Sequence, residues 1–341
     1  MTAKVAINGF GRIGRMVFRK AIVNDAFSVV AINASYPAET LAHMLKYDSI
    51  HGPFQGTVSW TNKQLIVNGQ VISLVQSRDP KLLPWRQLEV DIVIEATGKF
   101  NSKEEAGYHL EAGAKKVVIT APGKNEDKTI VYGVNESEYN THEHHIVSNA
   151  SCTTNCLAPV TKVIDNQFGI EAGLMTTVHS YTNDQKNIDN PHKDLRRARA
   201  CAQSIIPTTT GAAKAIAKVL PHLEGKINGM ALRVPTPNVS LVDCVFTLQK
   251  EATVEEVNTA LKKAAEGNLK GIVGYSDEPL VSIDYNGNEN SAIIDGLSTM
   301  MIGKRQVKVI AWYDNEWGYS CRVVDVVAMV AQQLRVYEEI S

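Results

Sequence analysis

The chain has 341 residues, with 35 Lys and Arg against 36 Asp and Glu and a formal net charge of −1. That length suggests about two domains, at roughly 100–200 residues each. The even charge excludes a strongly basic nucleic-acid binder as the default reading, and no apolar run approaches the ~20 residues of a membrane-spanning helix.

The first half alternates strands and helices. Val5–Asn8 is a short apolar run ending in glycines, and Ile13–Asn24 carries Ile13, Val17, Phe18, Ala21 and Ile22 on one helical face. Val29–Asn33 reads as a buried strand, Thr40–Leu45 as a helix, and Gln70–Val75 and Asp91–Glu95 as further strands. Lys103–Ala112 follows as a helix stopped by Gly113, then a strand at Lys116–Thr120. This order predicts an α/β, Rossmann-type parallel sheet with helices on both faces. Met1–Lys4 leads straight into it, so no secretory leader is expected.

Near residue 150 the pattern shifts. Longer, alternating strands are expected at Gly173–His179, Met230–Val234, Ser240–Leu248 and Gln306–Tyr313, with helices at Gly211–Leu220 and Val254–Ala265 between them. These predict an α+β domain on a mixed sheet, followed by a last apolar helix at Ser320–Tyr337. The five cysteines, Cys152, Cys156, Cys201, Cys244 and Cys321, are scattered and odd in number, which fits a reducing, cytoplasmic compartment. No metal site is expected: His142, His144 and His145 read as a solvated loop, and Cys152 with Cys156 is too few ligands for structural zinc.

Gly9-Phe10-Gly11-Arg12-Ile13-Gly14 is G-x-G-x-x-G between a strand and a helix, the arrangement that receives a dinucleotide pyrophosphate. About 20 residues on, an acid would hold the adenosine ribose 2′-OH. Asn33-Ala34-Ser35 stands there instead, and the next acid is Glu39. Ala34 removes the repulsion of a 2′-phosphate and Ser35 offers it a hydrogen bond, which points to NADP. The other reading keeps NAD, with Asn33 or Glu39 serving the ribose.

Cys152 stands at a helix start among Ser151, Thr153 and Thr154, where the helix dipole favours a thiolate. Cys156, one turn deeper, reads as a packed small hydrophobe. His179 ends a strand and is a candidate base. Lys193, Arg196, Arg197 and Arg199 form a basic run, Thr208-Thr209-Thr210-Gly211 precedes a helix as a phosphate cradle, and Arg233 sits among apolar residues at a strand end. Two anion sites beside a thiol suggest a phosphorylated carbonyl substrate and inorganic phosphate.

INGFGRIGR at Ile7–Arg15, SNASCTTNC at Ser148–Cys156, HSYTNDQ at His179–Gln185, HKDLRRAR at His192–Arg199, PTTTGAAKA at Pro207–Ala215, ALRVPTPNVS at Ala231–Ser240 and WYDNEWGYS at Trp312–Ser320 together resemble the phosphorylating glyceraldehyde-3-phosphate dehydrogenases over essentially the whole chain. The resemblance implies interconversion of glyceraldehyde-3-phosphate and 1,3-bisphosphoglycerate through a thioester on Cys152, with His179 as base. It implies Thr182 and Arg233 for the substrate phosphate, and Ser151, Thr153, Thr210, Gly211 and Arg197 for the attacking phosphate. It implies Arg12 and Ile13 at the pyrophosphate, Thr97, Gly98 and Thr120 in the cofactor groove, and Asn315 at the nicotinamide. A cofactor domain over 1–151, a catalytic domain over 152–314 and a C-terminal segment, 315–341, returning to the first are expected, in a homotetramer.

Common NAD-using members carry an acid where Ala34 stands and a leucine where Asn190 stands. Both departures resemble the NADP-preferring members, in which the positions matching Ser35 and Asn190 meet the 2′-phosphate; Arg78 is a further candidate. They imply NADP preferred over NAD and the gluconeogenic direction. Erythrose-4-phosphate dehydrogenase is the nearest alternative, disfavoured by Thr182 in its HSYT context and by Thr210-Gly211. A non-catalytic thiol sensor on the same fold is the other.

Overall fold

A computed structural model describes residues 2–340, apart from the side chains of Glu338 and Ile340. The chain folds as two compact units: residues up to Ile130, Glu136–Ala150 and Ser320 onwards in one, and Val131–Asn135 with Ser151–Tyr319 in the other.

The first unit is built on the strands β1 (Ala3–Asn8), β2 (Phe27–Asn33), β3 (Val58–Thr61), β4 (Gln64–Val67), β5 (Gln70–Val75), β6 (Ile92–Glu95), β7 (Lys116–Ile119), β8 (Lys128–Thr129) and β9 (Ile146–Ser148). Their order across the sheet is β3-β4-β5-β2-β1-β6-β7-β9-β8. The run from β5 to β8 is parallel, as the alternating pattern predicts. The β3–β4–β5 edge is antiparallel, which corrects the expectation of an all-parallel sheet. The cause is Asn68-Gly69, both at positive φ, a two-residue turn whose twist matches a hairpin.

Helices α1 (Arg12–Ala21), α2 (Ala38–Lys46) and α3 (Lys103–Glu111) connect these strands. Helix α1 is three residues shorter at its C-terminal end than the apolar spacing suggests, because Ile22 caps it and Asn24 N–H turns back to Ala21 O. Helix α3 starts at a capping box of Ser102 and Glu105, and Gly113 at φ +116 follows its end. The central strands are buried on both faces, with Val5, Ile7, Ile32, Val93 and Ile94 fully enclosed.

The second unit holds β10 (Ile170–Ser180), β11 (Ile206–Thr208), β12 (Ile227–Val234), β13 (Ser240–Leu248), β14 (Val273–Ser276), β15 (Ala292–Asp295), β16 (Met300–Ile302) and β17 (Gln306–Tyr313). The mixed sheet runs β11-β12-β10-β13-β17-β15-β14, with β16 on β17. Helices α4 (Cys152–Phe168), α5 (Ala212–Val219) and α6 (Val254–Glu266) belong to this unit, and α4 packs on β10, β13 and β17. Ser151 caps α4 by accepting from Thr154 N–H, and Gly169 at φ +69 ends it. The last helix, α7 (Trp317–Ile340), is buried along Val323, Val327, Val330 and Leu334. No helix among the described residues is long and apolar enough to cross a membrane.

Candidate active site

Cys152 is the first residue of α4, and His179 is the penultimate residue of β10. The two meet with Cys152 Sγ 3.5 Å from His179 Nε2. His179 Nδ1 lies 2.6 Å from Ser180 O and 3.0 Å from Arg233 Nη1; the shorter contact, to a carbonyl that can only accept, favours the proton on Nδ1 and the Nε2 lone pair facing the thiol. The parallel register of β10 and β12 sets Arg233 opposite His179. Arg233 Nη1 donates to Ser180 O and to Thr182 Oγ1, at 3.1 Å each.

Electrostatics follow from this placement. Burial, then the Arg233 charge, push His179 down to about 3, so the imidazole rests neutral and able to accept a proton. Burial raises the Cys152 thiol, while the Arg233 charge and hydrogen bonds from Thr153 pull the other way. Arg233 is itself lowered, mainly by burial, and its Nε is a buried donor with no protein partner. Such a donor beside a thiol calls for an anion.

The remaining anion-site candidates fall in the same unit. Arg197 Nε donates to Thr208 Oγ1 at 3.0 Å and its Nη1 to Asp184 at 2.6 Å. Thr210 Oγ1 accepts Ala212 N–H at 3.2 Å and Gly211 caps α5, so this turn presents a helix N-terminus. Ser151 Oγ is shared with Thr154, through N–H and Oγ1. Thr153 is buried and its hydroxyl meets Tyr313 Oη at 2.8 Å, so the side chain is committed to the protein.

Tyr313 is a residue that sequence reasoning missed. Its hydroxyl also meets Thr177 Oγ1 at 2.9 Å, and its ring packs edge-on against His179 at 6.0 Å between centroids. The alternation of β17 signals only that Tyr313 points inward. Asn315 accepts at 2.8 Å from Ser240 Oγ, which in turn accepts Ser180 N–H, so its amide is anchored to the strand end that carries His179.

In the first unit, Gly9, Gly11, Ala34, Ser35, Arg78 and Thr97 line a groove of about 490 Å³. The glycines fit a bound dinucleotide. A Cβ on Gly14 would sit 2.1 Å from Gly9 O and one on Gly9 2.8 Å from Thr97 N, whereas Gly11 faces open space. Arg12 and Ile13 form the first turn of α1, and the Arg12 guanidinium is bonded to Asp48. Gly98 follows β6 at φ +70, and Thr120 N–H bonds Glu95 O beyond the end of β7.

No carboxylate among the described residues lines this groove, while Arg15, Arg78 and Lys99 do. Asn33 is held inside, donating to Asn8 Oδ1 at 2.6 Å and Ser77 O at 2.8 Å and accepting Ser77 N–H. Both its amide protons are therefore spent on the protein. Asn190 lies in the exposed loop of the second unit, its N–H on Ala198 O. Of the three loop histidines, His144 Nδ1 accepts Asn140 N–H and His145 meets Lys116 Nζ.

Residues 3–103 match a family described as glyceraldehyde 3-phosphate dehydrogenase, NAD binding domain, and residues 151–315 match glyceraldehyde 3-phosphate dehydrogenase, C-terminal domain. The chain is 68% identical over 335 residues to glyceraldehyde-3-phosphate dehydrogenase 2 of Bacillus subtilis, covering 98% of each. It is 64% identical over 333 residues to the Geobacillus stearothermophilus glyceraldehyde-3-phosphate dehydrogenase, covering 98% of this chain and 99% of that one. Against glyceraldehyde-3-phosphate dehydrogenase 2 of Staphylococcus aureus the identity is 58%, over the whole of this chain and 99% of the other.

Proposed function

The chain belongs to the glyceraldehyde-3-phosphate dehydrogenase family, and we propose that it oxidises and phosphorylates glyceraldehyde-3-phosphate through a thioester on Cys152. It is an oxidoreductase with a nicotinamide cofactor. The observation that carries the mechanism is the Cys152 thiol facing the bare Nε2 of His179, with the unpartnered Nε of Arg233 beside it.

Cys152 sulfur attacks the aldehyde carbon as its proton passes to His179 Nε2 and on to the new oxyanion, giving a thiohemiacetal. His179 then takes the hydroxyl proton as hydride leaves carbon. The nicotinamide, when bound, accepts that hydride. The thioester left on Cys152 keeps enough free energy for inorganic phosphate to attack its carbonyl carbon, which breaks the C–S bond and releases acyl phosphate and thiolate. Thr182 and Arg233 hold the substrate phosphate. Ser151, Thr210, Gly211 and Arg197, with the Thr153 backbone, receive the attacking phosphate. Asn315 orients the nicotinamide carboxamide.

NADP is the preferred cofactor in this reading. An acid-free groove with Ser35 and Arg78 at its rim favours a 2′-phosphate, and Asn33 has no amide proton left for a ribose hydroxyl. Glu39 is exposed on α2 and does not line the groove. An NADP preference suits reduction of the acyl phosphate, the gluconeogenic direction. The first unit serves as the cofactor domain and the second as the catalytic one, in a cytoplasmic homotetramer.

The test is cofactor reduction with glyceraldehyde-3-phosphate, with and without inorganic phosphate, NADP and NAD in parallel. Phosphate-dependent turnover with the higher kcat/KM for NADP is expected. Higher kcat/KM for NAD removes the specificity argument alone; no turnover with either cofactor brings erythrose-4-phosphate forward as substrate.

A further inference from the structure

Between the two anion subsites lies a group that the reaction as written does not use. Arg233 Nη1 donates to Thr182 Oγ1, Thr182 Oγ1 donates to Asp184 Oδ1, and Arg197 Nη1 donates to Asp184 Oδ2 at 2.6 Å. The chain therefore runs unbroken from the arginine of the substrate-phosphate subsite to the arginine of the attacking-phosphate subsite. Its only anion is Asp184.

Arg197 spends three of its five N–H groups within the protein, one on each nitrogen. Its Nε is on Thr208 Oγ1 with the Asp194 carboxylate 3.6 Å away, and its Nη2 reaches Thr209 O. A phosphate that approaches Arg197 meets a carboxylate already seated on Nη1. Two anions cannot share that edge without strong repulsion. The Asp184 side chain is 40% exposed, so it has solvent to move into.

We propose that Asp184 is an exchangeable counter-ion: it occupies the Arg197 donor when the attacking-phosphate subsite is empty, and the incoming inorganic phosphate displaces it. This rests on the reading of Arg197 given above. The consequence is a subsite of deliberately moderate affinity. Arg197 is kept charged and oriented between turnovers, and inorganic phosphate and the acyl phosphate group exchange against a resident carboxylate on Nη1, while Asp194 stays beside Nε. Thr182, the other donor to Asp184, is released to the substrate phosphate by the same movement, so filling one subsite eases filling of the other. The hydrogen bond from Thr182 and the charges of Arg233 and Arg197 hold the Asp184 carboxyl low against burial, in keeping with a permanently charged group.

The experiment is equilibrium binding of inorganic phosphate by calorimetry near neutral pH, alongside its KM, for the unaltered enzyme and for variants at Asp184 and Arg197. Asp184→Asn removes the competing charge and keeps the size, and is expected to bind phosphate about five-fold more tightly with a matching fall in KM. Asp184→Glu restores the charge and is expected to return both values towards those of the unaltered enzyme. Unchanged or weaker phosphate binding in a folded Asp184→Asn protein makes Asp184 a plain brace for the loop and overturns the proposal. If Asp184→Asn does not fold, Asp184→Ser supplies the same comparison. Arg197→Ala separates the underlying reading: it is expected to raise the KM for inorganic phosphate about ten-fold or more while leaving the KM for glyceraldehyde-3-phosphate within a few-fold, and if the phosphate KM does not move, the assignment of Arg197 falls and the counter-ion role with it.

Discussion

The chemistry of the site turns on one pair of atoms, Cys152 Sγ and His179 Nε2. Burial works against a free thiolate, so its formation depends on the imidazole 3.5 Å away, the Arg233 charge and the N-terminus of α4. His179→Asn is therefore expected to move the pH profile of Cys152 alkylation upward by about one unit or more, and an unmoved profile removes His179 as the base. The same residue has a stability signature. Its folded pKa, about 3, lies below the ordinary 6.5, so between those values the unfolded chain binds a proton that the folded chain refuses. Stability must then fall as pH drops through that window, and His179→Asn should flatten the Tm slope between pH 6 and 4. In the other unit, Ala34→Asp places a carboxylate in the cofactor groove. It is expected to lower kcat/KM for NADP about ten-fold or more while leaving NAD turnover within a few-fold, read from paired initial rates. Cys152, His179 and Arg233 are legible as candidates because thiol, imidazole and guanidinium sit in recognisable strings, and the structure brings them together. Asp184 is not, since its meaning comes from Arg197, thirteen residues on, and from an arginine on another strand.

At the level of elements, the glycine-rich turn is set by what lies beneath it. Glu95, at the end of β6, is fully buried and accepts Thr97 N–H at 2.8 Å, Asn8 Nδ2 at 2.5 Å and contacts His109 Nε2 at 3.0 Å. His109 Nδ1 in turn takes the Trp85 indole N–H, and Asn8 takes Asn33. This buried chain ties α3, β6, β1 and β2 under the cofactor groove, and none of it was visible in the hydrophobic pattern, which marks only where apolar residues recur. Glu95→Ala removes the buried acceptor of the Thr97 N–H, of Asn8 Nδ2 and of His109 Nε2 and is expected to cost about 3–5 kcal/mol, measured by denaturant unfolding, with KM for the cofactor rising before kcat falls. In the second unit, Tyr313→Phe removes the hydroxyl shared by Thr153 and Thr177 and should cost about 1–2 kcal/mol. In long strands such as β13 and β17 the alternation persists over the whole length, so it predicts their bounds to the residue. The β3–β4 hairpin escaped because its strands are four residues each and one of them, Val58–Thr61, is mostly exposed.

The second unit presents its sheet unequally. Helix α4 covers one face through Met175, Val242, Cys244, Phe246 and Val309, which are buried. The opposite face carries Leu174 and Met230, 68% and 41% exposed, with half-buried Leu232, Leu241, Val245, Ile310 and Trp312 beside them. The strand sequences keep apolar residues at both phases of their alternation, which a one-sided solvent-facing sheet does not require. The Asp243–Lys308 ion pair, at 2.7 Å, interrupts this surface, as do Thr176, Asn228 and Thr247 in the same phase of their strands. An apolar patch of this kind on a globular protein marks an interface, and the proposed homotetramer supplies a copy of the same face to cover it. The exposed loop residues Ile188, Leu195 and Ile205 extend the demand for burial beyond the sheet. Placing charge on the face, as Leu174→Asp with Met230→Asp, is expected to reduce the molar mass in multi-angle light scattering below that of four chains. The retained α4 packing should leave the helical signal intact. A double variant that keeps four-chain mass places the contact between copies on another surface, and a parent protein that already runs as a single chain at micromolar concentration overturns the homotetramer itself.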